Sequence, residues 1–455
     1  MDGAVASKML IGNHTHQEDE LNSRVNSNVI PKSSSILDLI ASNSDQVRVF
    51  AFDIRSQPHF QGKNTLEPWA SRALAVAGSD DVVMIPGNLD PEYYDWLKNL
   101  GLGPQKVFAF NRENEPALLS ELIMQKADEV RAFLASIGKP LVFVPYYSAD
   151  VDKEAASTID AVFFGCDQSI TLKYFDKSTF KSLCQSLGIP TVPGTILSKS
   201  SDSEDFETEL REEILGWLKD YETLLIRGAQ GSVGSSLYKV NSSNLETHIP
   251  KMLASTESCF LIEPFLKVIT SPNDQWMIGS NGEIAHLGIT CQLFHGLKHI
   301  GNVKGKPYSS RIEGLIRDYS FKIAQQMRDD GYLGILGIDY IVTDQGIFPI
   351  ENNARLNGSS FAFFILDKLF GSSDYDGCWK VLRLKIEPCS FSNLREKIGS
   401  LIYQGNSTPN FVFPYEFDTL QTQGDVTLLI VAEDLHHLEY VEKELLSKLE
   451  IPALN

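Results

Sequence analysis

From residue 47 the chain alternates short apolar runs with amphipathic stretches. VRVFAFDI (47–54), DDVVMIPG (80–87) and PLVFVPYY (140–147) are apolar runs of strand length. Between them DPEYYDWLKNLG and EPALLSELIMQKADEVRAFLASIG read as helices. Strand alternating with helix predicts a parallel sheet in an α/β layer. Ile85-Pro86-Gly87-Asn88 ends one of these strands, either in a plain turn or in a turn that meets a ligand.

Further on, Phe180, Leu183, Cys184 and Leu187 form the i, i+3, i+4, i+7 stripe of a helix. Asp176 is its expected N-cap, and Gly188 with Pro190 ends it. Lys177 in the first turn opposes the helix dipole. TLLIRGAQGSVGSSLYKV (223–240) is a strand, a Gly-rich turn and a second strand. Small residues there let backbone N–H groups approach an anion closely, as a flexible turn or a phosphate lid. SCFLIEPFLKV (258–268) reads as another buried strand, and residues 276–310 open with a strand, a turn at Asn281-Gly282 and a second strand. A loop carrying Gln292, His295, His299, Lys304 and Lys306 is expected after it.

The stretch YLGILGIDYIVTDQGIFPIENNARLNGSS (332–360) is two extended runs joined by Asp344-Gln345-Gly346. A three-residue loop ending in Gly sets Thr343 against Ile347 and Asp339 against Glu351. Asn353 then shares the face of Glu351, with Arg355 two residues on. Paired carboxylates repel unless a cation lies between them. Two carboxylates and an amide oxygen are hard donors of the kind Mg²⁺ takes. The other reading is a solvent-facing edge, to which Pro349 points.

At 455 residues, 43% hydrophobic and 22% charged, the chain suits about three globular domains. Its net charge of −19 argues against a nucleic-acid or membrane-surface partner. Any bound nucleotide must therefore meet a local pocket of cations. Six cysteines without a C-x-x-C pair suit reduced thiols in the cytoplasm. No apolar run reaches membrane-span length, and the first residues lack a signal peptide's pattern.

In order, Asp176-Lys177, Arg227-Gly-x-x-Gly-Ser-x-Gly-Ser-Ser, Ile262-Glu-Pro-Phe265, Gly337-Ile-Asp339 and Glu351-x-Asn353-x-Arg355 resemble the nucleotide site of ATP-grasp carboxylate–amine ligases. The string D-P-E-Y-Y-D-W-L-x-x-L-G resembles the domain that precedes ATP-grasp in pheganomycin-type peptide ligases. The resemblance implies an α/β and α+β multidomain chain. A flexible tail (1–45) precedes a pre-ATP-grasp α/β domain (46–165), an ATP-grasp domain (166–389) and a small C-terminal α/β cap (390–455).

It further implies ATP and Mg²⁺, with Mn²⁺ able to replace it, the metal held by Asp339, Glu351 and Asn353. Lys177 and Arg227 reach the phosphates, Arg227 standing where the family has lysine. Gln230, Gly231, Ser232, Val233, Gly234 and Ser235 form the lid, while Glu263 and Phe265 form the adenine hinge. Arg355 and Arg227 assist transfer. The family's acidic ribose residue has no clear counterpart in ITSPNDQ; Asn273 and Asp274 are the nearby polar side chains. Gln292, His299, Lys304, Arg311 and Ser359 are candidates for substrate contact. The implied reaction joins a small acid to an amine or peptide through an acyl phosphate, and a homodimer is compatible with it. An ATP-grasp kinase and a non-catalytic nucleotide-binding regulator are the alternatives.

Overall fold

The computed structural model describes residues 35–452 apart from 42, 44, 61–68, 113–115, 200–202, 231–235, 297, 306–307, 372–374 and 406–408. Five parallel strands form the first sheet, in the order Lys106–Ala109, Val82–Ile85, Val47–Ala51, Leu141–Pro145, Ala161–Phe163. The three strands legible as apolar runs are its three central ones. Lys106–Ala109 and Ala161–Phe163 lie at the edges and are only partly buried. Alternation divides the central side chains between two cores. Val49, Met84 and Phe143 pack with Leu122, Val130 and Ile159 on one face, while Phe50, Val83 and Val144 join a larger core on the other.

A second sheet is antiparallel, in the order Thr195–Ser198, Cys259–Pro264, Leu224–Gly228, Leu237–Val240. Helices Ser203–Trp217 and Leu245–Ala254 cover it through Phe206, Leu210, Ile214, Ile249 and Met252. The third sheet has nine strands. Gly334–Thr343 is bonded to Val268–Thr270, Pro272–Ile278 and Ile347–Asn353. From Pro272–Ile278 the sheet continues through Ile284–His295, Lys298–Lys304, Cys378–Lys385 and Asp425–Ala432 to Phe411–Glu416.

Residues 390–455, expected as a small α/β cap, thus place their two strands in this same sheet rather than in one of their own. The expected loop after Gln292 is instead a hairpin, Ile284–His295 with Lys298–Lys304. Helix Ser360–Phe370 buries Phe361, Phe363, Phe364, Ile365 and Leu366. Each of these side chains contributes about 1.5–3 kcal/mol on burial, which anchors the segment leaving the Glu351–Arg355 motif. Helix Ser310–Asp329 packs Ile316, Ile323 and Met327 against Trp276, Leu336 and Ile338.

The expected loose tail is corrected over residues 35–40. Ile36–Leu39 forms a turn of 3₁₀ helix capped by Ser35, and Ile36, Leu39 and Ile40 are buried. Asp367 holds this turn by accepting from Ser35 Oγ at 2.6 Å and Ile36 N at 2.8 Å. Among the described residues, no helix is long and apolar enough to cross a membrane.

One carboxyl of the parallel domain carries a pH signature. Asp152 is 2% exposed and hydrogen-bonded to the Ser120 hydroxyl. Burial, aided by nearby Asp53, pushes it up to about 7 against the Ser120 bond that opposes the shift. In the unfolded chain an Asp titrates near pH ~3.9. The folded form therefore holds the proton more tightly, so this group's stabilisation is complete below that pH and is lost as pH rises toward about 7. Asp152→Asn removes the ionisation but keeps the shape. Its melting temperature should exceed that of the wild type by a margin that widens between pH 5 and 8, by the equivalent of a few kcal/mol. A pH-independent margin in melting curves would refute the assignment.

Candidate functional site

The hairpin of Gly334–Thr343 and Ile347–Asn353 sets Asp339 directly opposite Glu351, by a different route from the one its loop suggested. Val342, not Thr343, faces Ile347. Thr343 to Gly346 form a four-residue turn, closed by Thr343 N donating to Gly346 O at 2.9 Å. Gly346 has φ 150°, a conformation natural to glycine. That register alone would set Asp339 against Ile350. The ladder shifts between Asp339 and Tyr340, leaving Ile350 as the extra residue of a bulge. The bulge restores the Asp339–Glu351 pair, and the Ile350 carbonyl accepts from Arg227 Nη1 at 2.8 Å. Among the described residues Ile347–Asn353 pairs only with Gly334–Thr343, an edge position in keeping with Pro349.

The two carboxyls experience opposite fields. Asp339 is 7% exposed; burial first, then the charge of Glu351, raise its pKa. Asn273 Nδ2 at 2.5 Å and Asn353 Nδ2 at 3.0 Å each donate to one of its oxygens and oppose that rise. Burial would raise Glu351 too, but Lys177, Arg227 and Arg355 outweigh it and hold that carboxyl below its ordinary value.

Lys177 arrives on helix Lys177–Ser186, whose N-cap Asp176 accepts from the N–H groups of Ser178 and Thr179. Its Nζ lies 3.1 Å from Glu351 Oε1, so its unfavourable place near the helix dipole is offset by a carboxylate. Arg227 on strand Leu224–Gly228 forks onto Glu263 Oε2 through Nε at 3.0 Å and Nη2 at 2.8 Å. Lys181 Nζ meets the other oxygen of Glu263 at 2.8 Å. The side chain of the expected hinge residue Glu263 is thus engaged by two buried cations. Arg355 donates to Leu356 O at 3.1 Å, while its buried Nε has no partner among the described residues. A cavity of about 30 Å³ borders Arg355, lined also by Phe52, Tyr146, Tyr147, Ser148 and Tyr332. It has room for one water-sized group.

The remaining expected residues divide. Gly231, Ser232, Val233, Gly234 and Ser235 lie outside the described residues; before them, the Gln230 N–H donates to Glu257 at 2.8 Å. Phe265 is 38% exposed, with Lys239 Nζ 4.1 Å from its ring centroid. Gln292 faces Asn302 across its hairpin, and His299 Nε2 is 3.0 Å from Asn302 Oδ1. Lys304 Nζ donates to Tyr375 O at 3.3 Å. Arg311 is exposed on the first turn of helix Ser310–Asp329, and no described bond links it to the cluster. The hydroxyl of Ser359 is buried, donating to Asn273 Oδ1 at 2.9 Å and Asn357 Oδ1 at 3.1 Å. Asp274 is fully buried on the opposite face of its strand, held by Trp276 Nε1 and His286 Nε2, each at 2.7 Å.

Lys181, Gln275 and Asn357 were not legible as site residues. Lys181 had a signal, since it follows Lys177 by four positions and so shares its helix face. Asn273 and Gln275 alternate on one strand, but only the cross-strand register shows that Asn273 faces Asp339.

The donor set suits a divalent cation. Two carboxyls face each other, one is raised by the other's charge, and an amide lies beside them. A hard cation would relieve that repulsion.

No family model matches the sequence, and no curated protein matches it. Solved structures do. N5-carboxyaminoimidazole ribonucleotide synthetase, in its ADP complex, superposes with a TM-score of 0.59 at 11% identity, over 89% of this chain and 97% of that one. Biotin carboxylase from Campylobacter jejuni, in complex with β,γ-ATP, gives 0.54 at 15% identity, over 89% and 91%. The biotin carboxylase domain of the 2-oxoglutarate carboxylase from Hydrogenobacter thermophilus, bound to MgADP and bicarbonate, gives 0.54 at 14% identity, over 82% and 91%. At such identities the likeness shows architecture, and that architecture is the ATP-grasp fold.

Proposed function

We propose that this chain is an ATP-dependent carboxylate–amine ligase that works through an acyl phosphate. The observation that carries the reading is the Asp339–Glu351 pair, set across one hairpin and ringed by Lys177, Arg227 and Arg355. Asp339, Glu351 and Asn353 would hold Mg²⁺, which neutralises charge on the ATP β- and γ-phosphates. A carboxylate oxygen of the acid attacks the γ-phosphorus, and ADP leaves. The amine nitrogen then attacks the acyl carbon, loses a proton, and inorganic phosphate leaves.

Lys177, Arg227 and Arg355 stabilise charge developing on the transferred group. Among the described residues the buried Nε of Arg355 has no hydrogen-bond partner, so it is the donor of the three cations proposed to meet the transferred group. Helix Pro91–Asn99, capped by Asp90 with Pro91 in its first turn, carries the string that resembles pheganomycin-type peptide ligases. An amino acid or small acid, and an amino acid or peptide amine, are the substrate classes proposed on that basis.

With Mg·ATP and a panel of amino acids and short peptides, a productive pair should release ADP and phosphate in step with amide formation. AMP with pyrophosphate would refute the mechanism. A phosphorylated product retained in solution would instead identify a kinase.

Glu351→Gln preserves shape but removes a ligand charge. Turnover should fall by about two orders of magnitude or more, the scale of losing an electrostatic group at the reacting centre. Mg·ATP should also raise the melting temperature of the wild type more than that of the variant. Equal increments would mean that Glu351 does not share the metal.

Arg227 tests the departure from lysine. A charge-assisted hydrogen bond contributes roughly 1.5–3 kcal/mol, so Arg227→Ala should lose about tenfold or more in kcat/KM for ATP, whereas Arg227→Lys should keep most activity. The Ala variant should also melt earlier, because among the described residues Glu263 then keeps Lys181 alone as a charged partner. An unchanged kcat/KM in Arg227→Ala would confine Arg227 to holding Glu263 and Ile350.

A further inference from the structure

The carboxyl of Asp339 is oriented by a buried layer of uncharged side chains. Asn273, Asp339 and Glu351 lie in one row across three adjacent strands, because Asn273 pairs with Asp339 and Asp339 with Glu351. The amide of Asn273 has one orientation available. Its Oδ1 accepts from Gln275 Nε2 at 2.6 Å and from Ser359 Oγ at 2.9 Å, so its Nδ2 faces Asp339 Oδ1. Gln275 is fixed in turn. It exchanges two hydrogen bonds with Asn357, at 3.0 and 3.2 Å, and accepts from Ser360 Oγ at 2.9 Å.

Asn273, Gln275, Asn357, Ser359 and Ser360 are each at most 7% exposed. The layer rests on Gly337. A Cβ there would lie 2.3 Å from both Asn357 Nδ2 and Gln275 Nε2, so the glycine two residues before Asp339 makes room for the amides. None of the five side chains titrates near neutral pH, so the donor offered to Asp339 does not change with pH.

We propose that Asn273 is the positioning residue of this site, fixing the Asp339 carboxyl so that its remaining lone pairs point to where it and Glu351 share a divalent cation. The proposal rests on the ATP–metal reading above. Satisfying a buried carboxyl is a structural task as well, and the experiment must separate the two.

Mn²⁺ is titrated into protein saturated with ATP and followed by electron paramagnetic resonance; ATP affinity in EDTA and the melting temperature are measured in parallel. Asn273→Leu removes the donor at similar volume. It should weaken Mn²⁺ about tenfold, the scale of one charge-assisted hydrogen bond, while ATP affinity in EDTA stays constant. In an Asp339→Asn background the same substitution should cause little further loss, since Asn273 acts through Asp339. Ser359→Ala, which frees one of the two bonds locking the Asn273 amide, should shift Mn²⁺ affinity in the same direction by less and serves if Asn273→Leu folds poorly.

Unchanged Mn²⁺ affinity in both variants, or an undiminished loss in the Asp339→Asn background, would overturn the proposal while leaving the ATP reading intact. A wild type that gains no Mn²⁺ affinity from ATP would overturn both.

Discussion

Two carboxyls facing each other across a hairpin, one of them buried, constitute an electrostatic conflict that the surrounding protein resolves unevenly. Glu351 is compensated by Lys177 and, at longer range, by Arg227 and Arg355, so it stays ionised. Asp339 has two amide donors and, among the described residues, no ion pair, and its affinity for a proton rises. Such a pair is poised to accept positive charge, whether a proton or a metal ion. Burial sharpens that demand, because the low local dielectric strengthens every charge interaction.

The fold supplies what this conflict requires. Glu351 sits on an edge strand, yet Lys177 from one helix and Arg227 from a second sheet converge on that strand and cover it. The bulge at Ile350 does two things at once: it restores the carboxyl register and turns a carbonyl toward Arg227. On the other side, strand Pro272–Ile278 and the turn before helix Ser360–Phe370 bring amides and hydroxyls together behind Asp339. The apolar helix that follows keeps that turn in place.

Overall charge and local charge run in opposite directions. A chain of net charge −19 repels phosphate at a distance, while Lys177, Lys181, Arg227 and Arg355 gather about Glu351 and Glu263. Two of them are spent on Glu263. That ion triad is buried, so removing a single member leaves a charge without its partner. Arg227 consequently carries two duties, one toward the nucleotide in the proposed reaction and one toward the packing of its own sheet.

Local periodicity determined much of the architecture. Runs such as VRVFAFDI and PLVFVPYY announced central strands because both of their faces are buried, whereas the edge strands, with the runs VFAF (107–110) and AVFF (161–164), are only partly buried. Asp176 and Gly188 marked the ends of their helix because capping and helix termination act through neighbouring residues. The face-to-face placement of Asp339 and Glu351 was legible too, although its stated cause was not. A loop of one length and a bulge of one residue compensate each other, and only backbone pairing reveals both. Tertiary structure alone brought Asn273 to Asp339, Lys181 to Glu263, and the strands of residues 390–455 into the nine-stranded sheet. Those contacts join residues separated by tens of positions or more, and no local propensity encodes which strand becomes another's neighbour.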